Sequence, residues 1–137
     1  MEEGKKVVGD IKLAKREIID IIRKYGEKLK EQGINFQKII LFGSYAANTE
    51  RRDSDIDIAV VSEDFGKDRF KERVVLTKIA YYIDARIEPH PVNLKEFIND
   101  SWKTIIHEIK SKGIEIAAWG KADLKKKAKT FIIIMLI

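Results

Sequence analysis

The sequence contains no cysteine and only two histidines among its 137 residues. The absence of cysteine excludes disulfides, thiolate nucleophiles and zinc sites built on sulfur. With so few histidines as well, the composition argues against a zinc site of any common type. Hydrophobic residues make up 45% and charged residues 36% of the chain, a balance that is typical of a soluble, folded domain.

Long apolar runs are also lacking, except for the last seven residues, Phe131 to Ile137. This run is far shorter than the roughly 20 residues that a membrane-spanning helix needs. The first six residues, Met1 to Lys6, begin acidic and lack the apolar segment of a secretory signal. We therefore expect a cytoplasmic protein.

The length predicts one domain with a hydrophobic core, which we assign to residues 1–120. A basic and then apolar tail follows at residues 121–137. Five lysines between Lys121 and Lys129 contribute to the formal charge of +5. Such a run can bind nucleic acid or an acidic partner, but a solvated segment is the simpler interpretation because no known RNA-binding motif accompanies it.

The hydrophobic pattern predicts alternating helices and strands. Apolar residues recur at helical spacing over residues 11–29 and 68–82, and the second helix is predicted to bury Phe70, Val74, Leu76, Ile79, Ala80 and Ile83. Short apolar runs predict strands at residues 38–42, 56–61, 84–88 and 114–118. The third strand is predicted to end at Pro89, which cannot donate to a β-ladder. With two further helices between residues 93 and 113, this order predicts an α/β fold with a small mixed sheet flanked by helices.

A glycine–serine turn follows the first predicted strand. Gly43 lets the backbone adopt angles closed to other residues and come close to a ligand. Ser44 adds a hydroxyl, and the backbone N–H groups that follow are suited to bind phosphate. This turn is therefore a candidate site for an anionic ligand.

After a spacer of ten residues that follows Ser44, two aspartates occur two positions apart at the start of the second strand. Because side chains alternate along a strand, Asp55 and Asp57 project from the same face. Two neighbouring carboxylates repel each other unless a cation lies between them, and magnesium is the hard ion that carboxylates and substrate phosphates favour. An Asp-x-Asp pair alone is a weak signal, but this strand continues as the apolar run Ile58 to Val61. Carboxylates on a buried strand indicate a function.

Together, Gly43-Ser44 and Ser54-Asp55-Ile56-Asp57 resemble the signature of the DNA polymerase beta-like nucleotidyltransferase superfamily. The likeness covers about residues 39–92 and is strongest to the minimal nucleotidyltransferase branch. It implies that Gly43 and Ser44 hold a nucleoside triphosphate, while Asp55 and Asp57 bind Mg²⁺, with two ions expected. The activity it implies is transfer of a nucleoside monophosphate, AMP from ATP in the first instance, to a hydroxyl group.

The resemblance also implies a third carboxylate on a neighbouring strand. The candidates are Asp84 and Glu88, whose side chains share a face in an extended segment. Glu88, at the predicted strand end, matches the family position better, and Asp84 would then cap or start the strand. We therefore predict Asp55, Asp57 and Glu88 as the catalytic, metal-binding set. His90 follows between two prolines, and we interpret it as a turn or surface residue.

Two positions depart from the family pattern. Asn48 occupies the place of a common second glycine, and Ala47 replaces a frequent basic residue. Asparagine tolerates a left-handed backbone better than other non-glycine residues, so the loop is expected to keep its shape.

Relatives of this type are often encoded with a HEPN-domain protein and act as antitoxins that adenylylate the toxin. The resemblance therefore implies a protein partner, with a tyrosine of a HEPN-domain toxin as the acceptor. The competing hypothesis is a binding module that neutralises its partner by contact, with weak or no catalysis. The changes at Asn48 and Ala47 favour that second hypothesis.

Overall fold

The computed structural model describes residues 13–100 and 102–118, which form five helices and four strands within those ranges. In chain order they are α1 (Leu13–Glu31), β1 (Lys38–Leu41), α2 (Gly43–Ala47), β2 (Ile56–Ser62), α3 (Arg69–Tyr81), β3 (Ile87–Asn93), α4 (Leu94–Asn99), α5 (Thr104–Lys112) and β4 (Ile114–Ala118). The tail at residues 121–137, including its basic run, lies outside the described residues.

The strands form one mixed sheet in the order β3-β2-β1-β4. β1 pairs antiparallel with both β2 and β4, whereas β2 and β3 are parallel. A parallel pair needs a long crossover connection, and α3 supplies it. The predicted fold class, a small mixed sheet flanked by helices, is confirmed.

The sheet is covered on both faces, which explains the unbroken apolar run in β2. Ile58 and Val60 pack in one core with residues of α1 and α3, while Ala59 and Val61 pack in a second core beside Ile109 of α5. All four β2 residues are fully buried. The sequence of a strand that is covered on both sides is continuously hydrophobic and does not alternate between apolar and polar residues. Asp57, the second residue of β2, is therefore held on a rigid element.

Tyr25 of α1 ties the first core to α3. Its ring is fully buried, and its hydroxyl donates a 2.8 Å hydrogen bond to the carbonyl of Leu76. Burial raises the pKa of the Tyr25 phenol, because the charged form would lose its hydration. The hydroxyl is therefore neutral and donates its proton to Leu76, so this buried polar group has the hydrogen-bond partner that it needs.

The predicted boundaries of the third strand were wrong. β3 runs from Ile87 to Asn93, so it includes both prolines instead of ending at Pro89. Among the described strands β3 pairs only with β2, at the edge of the sheet. The N–H of Ile56 donates to the carbonyl of Arg86. Because backbone groups alternate in direction along a strand, the even-numbered residues of β3 direct their N–H and carbonyl groups toward β2. The odd-numbered Pro89 and Pro91 face the side of β3 on which no described strand pairs, so no described ladder bond needs their N–H.

The predicted inner face of α3 was only partly right. Leu76 and Ala80 are buried, but Phe70 is 77% exposed and Val74 also faces outward. The neighbouring Tyr81 and Tyr82 are exposed as well. Within residues 13–100 and 102–118, α3 packs on one side only, and its other side carries large apolar residues that no described element covers.

No helix within residues 13–100 and 102–118 is long and apolar enough to cross a membrane.

Candidate active site

Two acidic side chains on neighbouring strands meet at one end of the parallel pair. Asp57 of β2 and Glu88 of β3 are register partners, so their side chains lie side by side on the same face of the sheet. Both are partly exposed, at 26% for Asp57 and 39% for Glu88. The sequence left Asp84 and Glu88 as alternatives for the third carboxylate; of the two, the strand register brings Glu88 to Asp57.

His90 joins the two carboxylates, although the sequence interpretation left it out. It lies in β3, not in a turn, and its Nε2 is 3.2 Å from Oδ1 of Asp57. One ligand atom from each of Asp57, Glu88 and His90 lies within 4.8 Å of the others. The period of two along β3 puts His90 on the same face as Glu88, and this signal could have found it had the strand been extended through Pro89.

Gly43 is in direct contact with Asp57. Its φ of +72° lies in the left-handed region, and a Cβ at this position would be 2.5 Å from Oδ2 of Asp57. The N–H of the preceding Phe42 donates a 2.9 Å hydrogen bond to the carbonyl of Asp57. Only glycine satisfies both the backbone angle and the close approach, so the turn and the carboxylate are fitted to each other. Ser44 follows in the first turn of α2 and is half-buried.

Asp55 lies one residue before β2 and is exposed. Its carboxylate is not among the described ligand atoms that come within 4.8 Å of one another. The loop before it is held by Ser54, whose hydroxyl accepts from the N–H of Arg51 at 2.7 Å and whose N–H donates to the Arg51 carbonyl. The described group therefore consists of Asp57, Glu88 and His90, without Asp55.

Basic residues of α3 reach around the sheet edge to this face. Nη2 of Arg73 is 2.8 Å from Oε1 of Glu88. Arg69 forms an ion pair with Glu96 of α4. Together with Lys103 and His90, these residues line a recess beside Glu88. A cation binding to Glu88 must compete with the Arg73 guanidinium.

The loop after the glycine–serine turn keeps its shape without a second glycine. Asn48 has φ 58° and ψ 33°, the left-handed conformation expected for this position, and it ends α2. Its side-chain oxygen accepts a hydrogen bond from the buried Lys15 of α1. Asparagine therefore supplies both the turn and an acceptor that glycine lacks. Ala47 is exposed, and its side chain carries no charge.

Asp84 serves a different purpose, in the turn before β3. It accepts from the backbone N–H of Arg86 at 2.9 Å and from two nitrogens of the Arg86 guanidinium. The side-chain hydrogen bond from Arg86 holds the pKa of the Asp84 carboxyl below its ordinary value, against a smaller opposing effect of burial. Arg86 also interacts with the hydroxyl of the buried Tyr45. The packed Tyr45 and the Asp84 pair thus support the turn.

We expect Asp84→Asn to destabilise the fold in a pH-dependent way. A depressed carboxyl pKa stabilises the native state above the unfolded value, about 3.9, and this contribution is lost as the pH falls through the folded value. The effect should be below about 1 kcal/mol, because the Arg86 side chain is 42% exposed. Urea unfolding at pH 7 and pH 3 measures it, and a wild-type to variant difference that grows on acidification would contradict the assignment.

The donor set at Asp57, Glu88 and His90 fits a divalent cation. Two carboxylates from adjacent strands approach each other with partial burial, an arrangement that costs free energy unless positive charge lies between or beside them. Carboxylate oxygens are the ligands that Mg²⁺ prefers. The buried strand β2, the glycine turn in contact with Asp57 and the partner acid Glu88 on β3 therefore form a candidate metal-binding site of the kind that the resemblance to nucleotidyltransferases led us to expect.

Comparison with known proteins agrees with this class. Residues 16–119 match the family described as "Polymerase beta, Nucleotidyltransferase". The chain belongs to this family and is a nucleotidyltransferase of the minimal type. It is 27% identical over 104 residues to the "Putative protein adenylyltransferase MJ0141" of Methanocaldococcus jannaschii, an alignment that covers 73% of this chain and 99% of that protein.

Solved structures show the same fold. A "putative nucleotidyltransferase" from Sulfolobus solfataricus matches with a TM-score of 0.59 at 15% identity, over 88% of this chain and 96% of that one. A toxin–antitoxin structure with AMP-PNP matches at 0.51 and 28% identity, over 85% and 86% of the two chains. A point mutant of the toxin–antitoxin MntA-HpeT matches at 0.50 and 27% identity, over 83% and 85%.

Proposed function

We propose that this chain transfers AMP from ATP to a hydroxyl group of a partner protein, with Asp55, Asp57 and Glu88 as its catalytic carboxylates. The observation that carries the proposal is the pairing of Asp57 with Glu88 on adjacent strands. The close contact between Gly43 and Asp57 adds the glycine turn to the same site. The relative described as a protein adenylyltransferase and the neighbour solved with AMP-PNP support ATP as donor and protein as acceptor.

The proposed chemistry asks the chain to position two reactants. Asp57 and Glu88, together with the exposed Asp55, would hold magnesium, which supplies positive charge to the triphosphate when bound. Gly43 and Ser44 would contact the triphosphate. The acceptor oxygen forms a bond to the α-phosphorus while the bond from that phosphorus to the pyrophosphate breaks, and the hydroxyl proton leaves to a carboxylate or to water. Positioning and charge neutralisation suffice for such a transfer.

A HEPN-domain toxin is the partner we propose, with one of its tyrosines as the acceptor. The toxin–antitoxin neighbours, at 28% and 27% identity, support this assignment. The exposed Phe70, Tyr81 and Trp102 provide apolar surface for a protein contact. In this proposal residues 1–120 form the catalytic domain, residues 121–137 add contact area, and the protein acts in the cytoplasm.

Position-specific labelling of ATP tests the proposal. Purified wild-type chain is incubated with Mg²⁺ and the protein encoded beside it, using ATP labelled at either the α- or the γ-phosphate. We expect label from the α-phosphate to appear on the partner and label from the γ-phosphate to appear in pyrophosphate. Transfer of the γ-label to protein would identify a kinase instead, and no transfer of either label would contradict the proposal.

A binding module that neutralises its partner by contact is the second candidate. Its support is that both acidic groups already have partners: Arg73 pairs with Glu88, and His90 contacts Asp57. With these partners in place, the two carboxylates do not need a metal ion to offset their repulsion. Ala47, which lacks the basic group common in relatives, points the same way. Growth rescue in cells expressing the partner toxin separates the two, because a contact-only antitoxin should protect equally well after Asp57→Asn.

A further inference from the structure

His90 is the third member of the side-chain group at the site, and the proposed chemistry gives it no role. Its Nε2 lies 3.2 Å from Oδ1 of Asp57, and it shares a face of β3 with Glu88. Two ligands of one ion are about 3 to 4 Å apart when each bond is about 2.1 Å long. The described separations, all within 4.8 Å, need only small side-chain shifts to reach that geometry.

The imidazole is held in this direction by its surroundings. Its ring meets the ring of Phe42 edge to face, with centroids 5.1 Å apart and planes inclined at 62°. Pro89 and Pro91 flank it and fix their own backbone φ angles, which restricts the strand on both sides. Only 19% of the His90 side chain is exposed. The nitrogen is therefore directed at the carboxylates before any ion binds.

We propose that Nε2 of His90 is a ligand of the catalytic divalent ion, together with Asp57 and Glu88. The proposal rests on the proposed function for the presence of an ion at Asp57. A mixed set of one nitrogen and two carboxylates favours first-row transition ions such as Mn²⁺, whereas Mg²⁺ prefers oxygen ligands and dehydrates reluctantly. The site should therefore bind Mn²⁺ more tightly than Mg²⁺, and His90 should enlarge the difference.

The alternative role for His90 is to position Asp57 by a hydrogen bond. Glutamine separates the two roles, because its side-chain amide can still donate to Oδ1 of Asp57 but offers no imidazole nitrogen. Alanine removes both functions. His107, the only other histidine of the chain, is exposed on α5 and supplies the matched control, His107→Gln.

The test measures Mn²⁺ and Mg²⁺ binding to the full chain without nucleotide. Electron paramagnetic resonance counts free Mn²⁺ during titration, and Mg²⁺ affinity follows from competition. We expect His90→Gln and His90→Ala to weaken Mn²⁺ binding about tenfold or more, with a much smaller change for Mg²⁺. His107→Gln should bind both ions like the wild type.

Pulsed electron paramagnetic resonance of bound Mn²⁺ gives a direct readout. The wild type and His107→Gln should show coupling to an imidazole ¹⁴N nucleus, which His90→Gln should lack. Absence of that coupling in the wild type would overturn the proposal, as would equal losses for both ions. Recovery of Mn²⁺ affinity by glutamine but not by alanine would assign a positioning role instead.

Failure of this proposal can be distinguished from failure of the proposed function. Mn²⁺ coordinated by His90 without label transfer to any partner would support the metal ligand and count against adenylylation. Label transfer by a wild type that lacks the ¹⁴N coupling would support adenylylation and exclude His90 as a metal ligand.

Discussion

Replacing Asp57 with asparagine is expected to lower nucleotidyl transfer by at least about a thousandfold while the fold remains intact. The carboxylate is the central acidic group of the site, in contact with His90 and beside Glu88. Asparagine keeps the size and shape of the side chain, so the close fit against Gly43 is preserved. What is removed is one negative charge, which the site needs to hold a cation next to the triphosphate.

The measurement is release of pyrophosphate and transfer of label from α-labelled ATP, with thermal unfolding followed in parallel. Asp84→Asn is the matched control, since the Asp84 side chain is also partly buried but pairs with Arg86 away from the site. This control should keep its transfer activity.

Two results would contradict the assignment of Asp57. An Asp57→Asn variant that transfers label at a rate close to the wild type would exclude a catalytic carboxylate at this position. If the variant loses activity and also no longer unfolds cooperatively, the loss reflects a damaged fold, and Asp57 has a structural role instead. Equal losses in Asp57→Asn and Asp84→Asn would likewise point to the fold and not to the site.

The sequence predicted much of the fold because its main signals are local. Four apolar residues in a row, Ile58 to Val61, identify a strand covered on both faces, and the structure confirms it. Helical spacing likewise identified α1, which the structure describes from Leu13. The roles of Asp55, Asp57 and Glu88 stay predictions. Of the two candidates for the third carboxylate, Asp84 and Glu88, the strand register brings Glu88 next to Asp57.

The errors concern features that depend on partners distant in sequence. Proline ends a strand only where its nitrogen faces a neighbour, and the sequence alone did not show that β3 is the edge strand of the described sheet. Ending the strand at Pro89 also concealed His90, whose position beside Asp57 follows from the parallel register. Phe70 was predicted to be buried from its spacing in α3, but no described element packs on that side of the helix.

Replacing Gly43 with alanine is the second change for which we expect a large effect. Gly43 combines a φ of +72° with a contact that leaves no room for a Cβ, since Oδ2 of Asp57 would be 2.5 Å away. Alanine must therefore displace the carboxylate or the turn. A misplacement of about 1 Å at a reacting centre can lower the rate by about a hundredfold, and we expect a loss of at least that size in label transfer.

Gly33→Ala separates the two causes. Gly33 has nearly the same backbone angle, φ +77°, but nothing lies within 4 Å of the Cβ that alanine would add. Both variants should lose about 1 kcal/mol of stability through backbone strain, whereas only Gly43→Ala should lose activity. Denaturant unfolding and label transfer measure the two quantities. Full activity in Gly43→Ala would mean that Asp57 tolerates displacement and that its contact with the turn does not position the catalytic carboxylate.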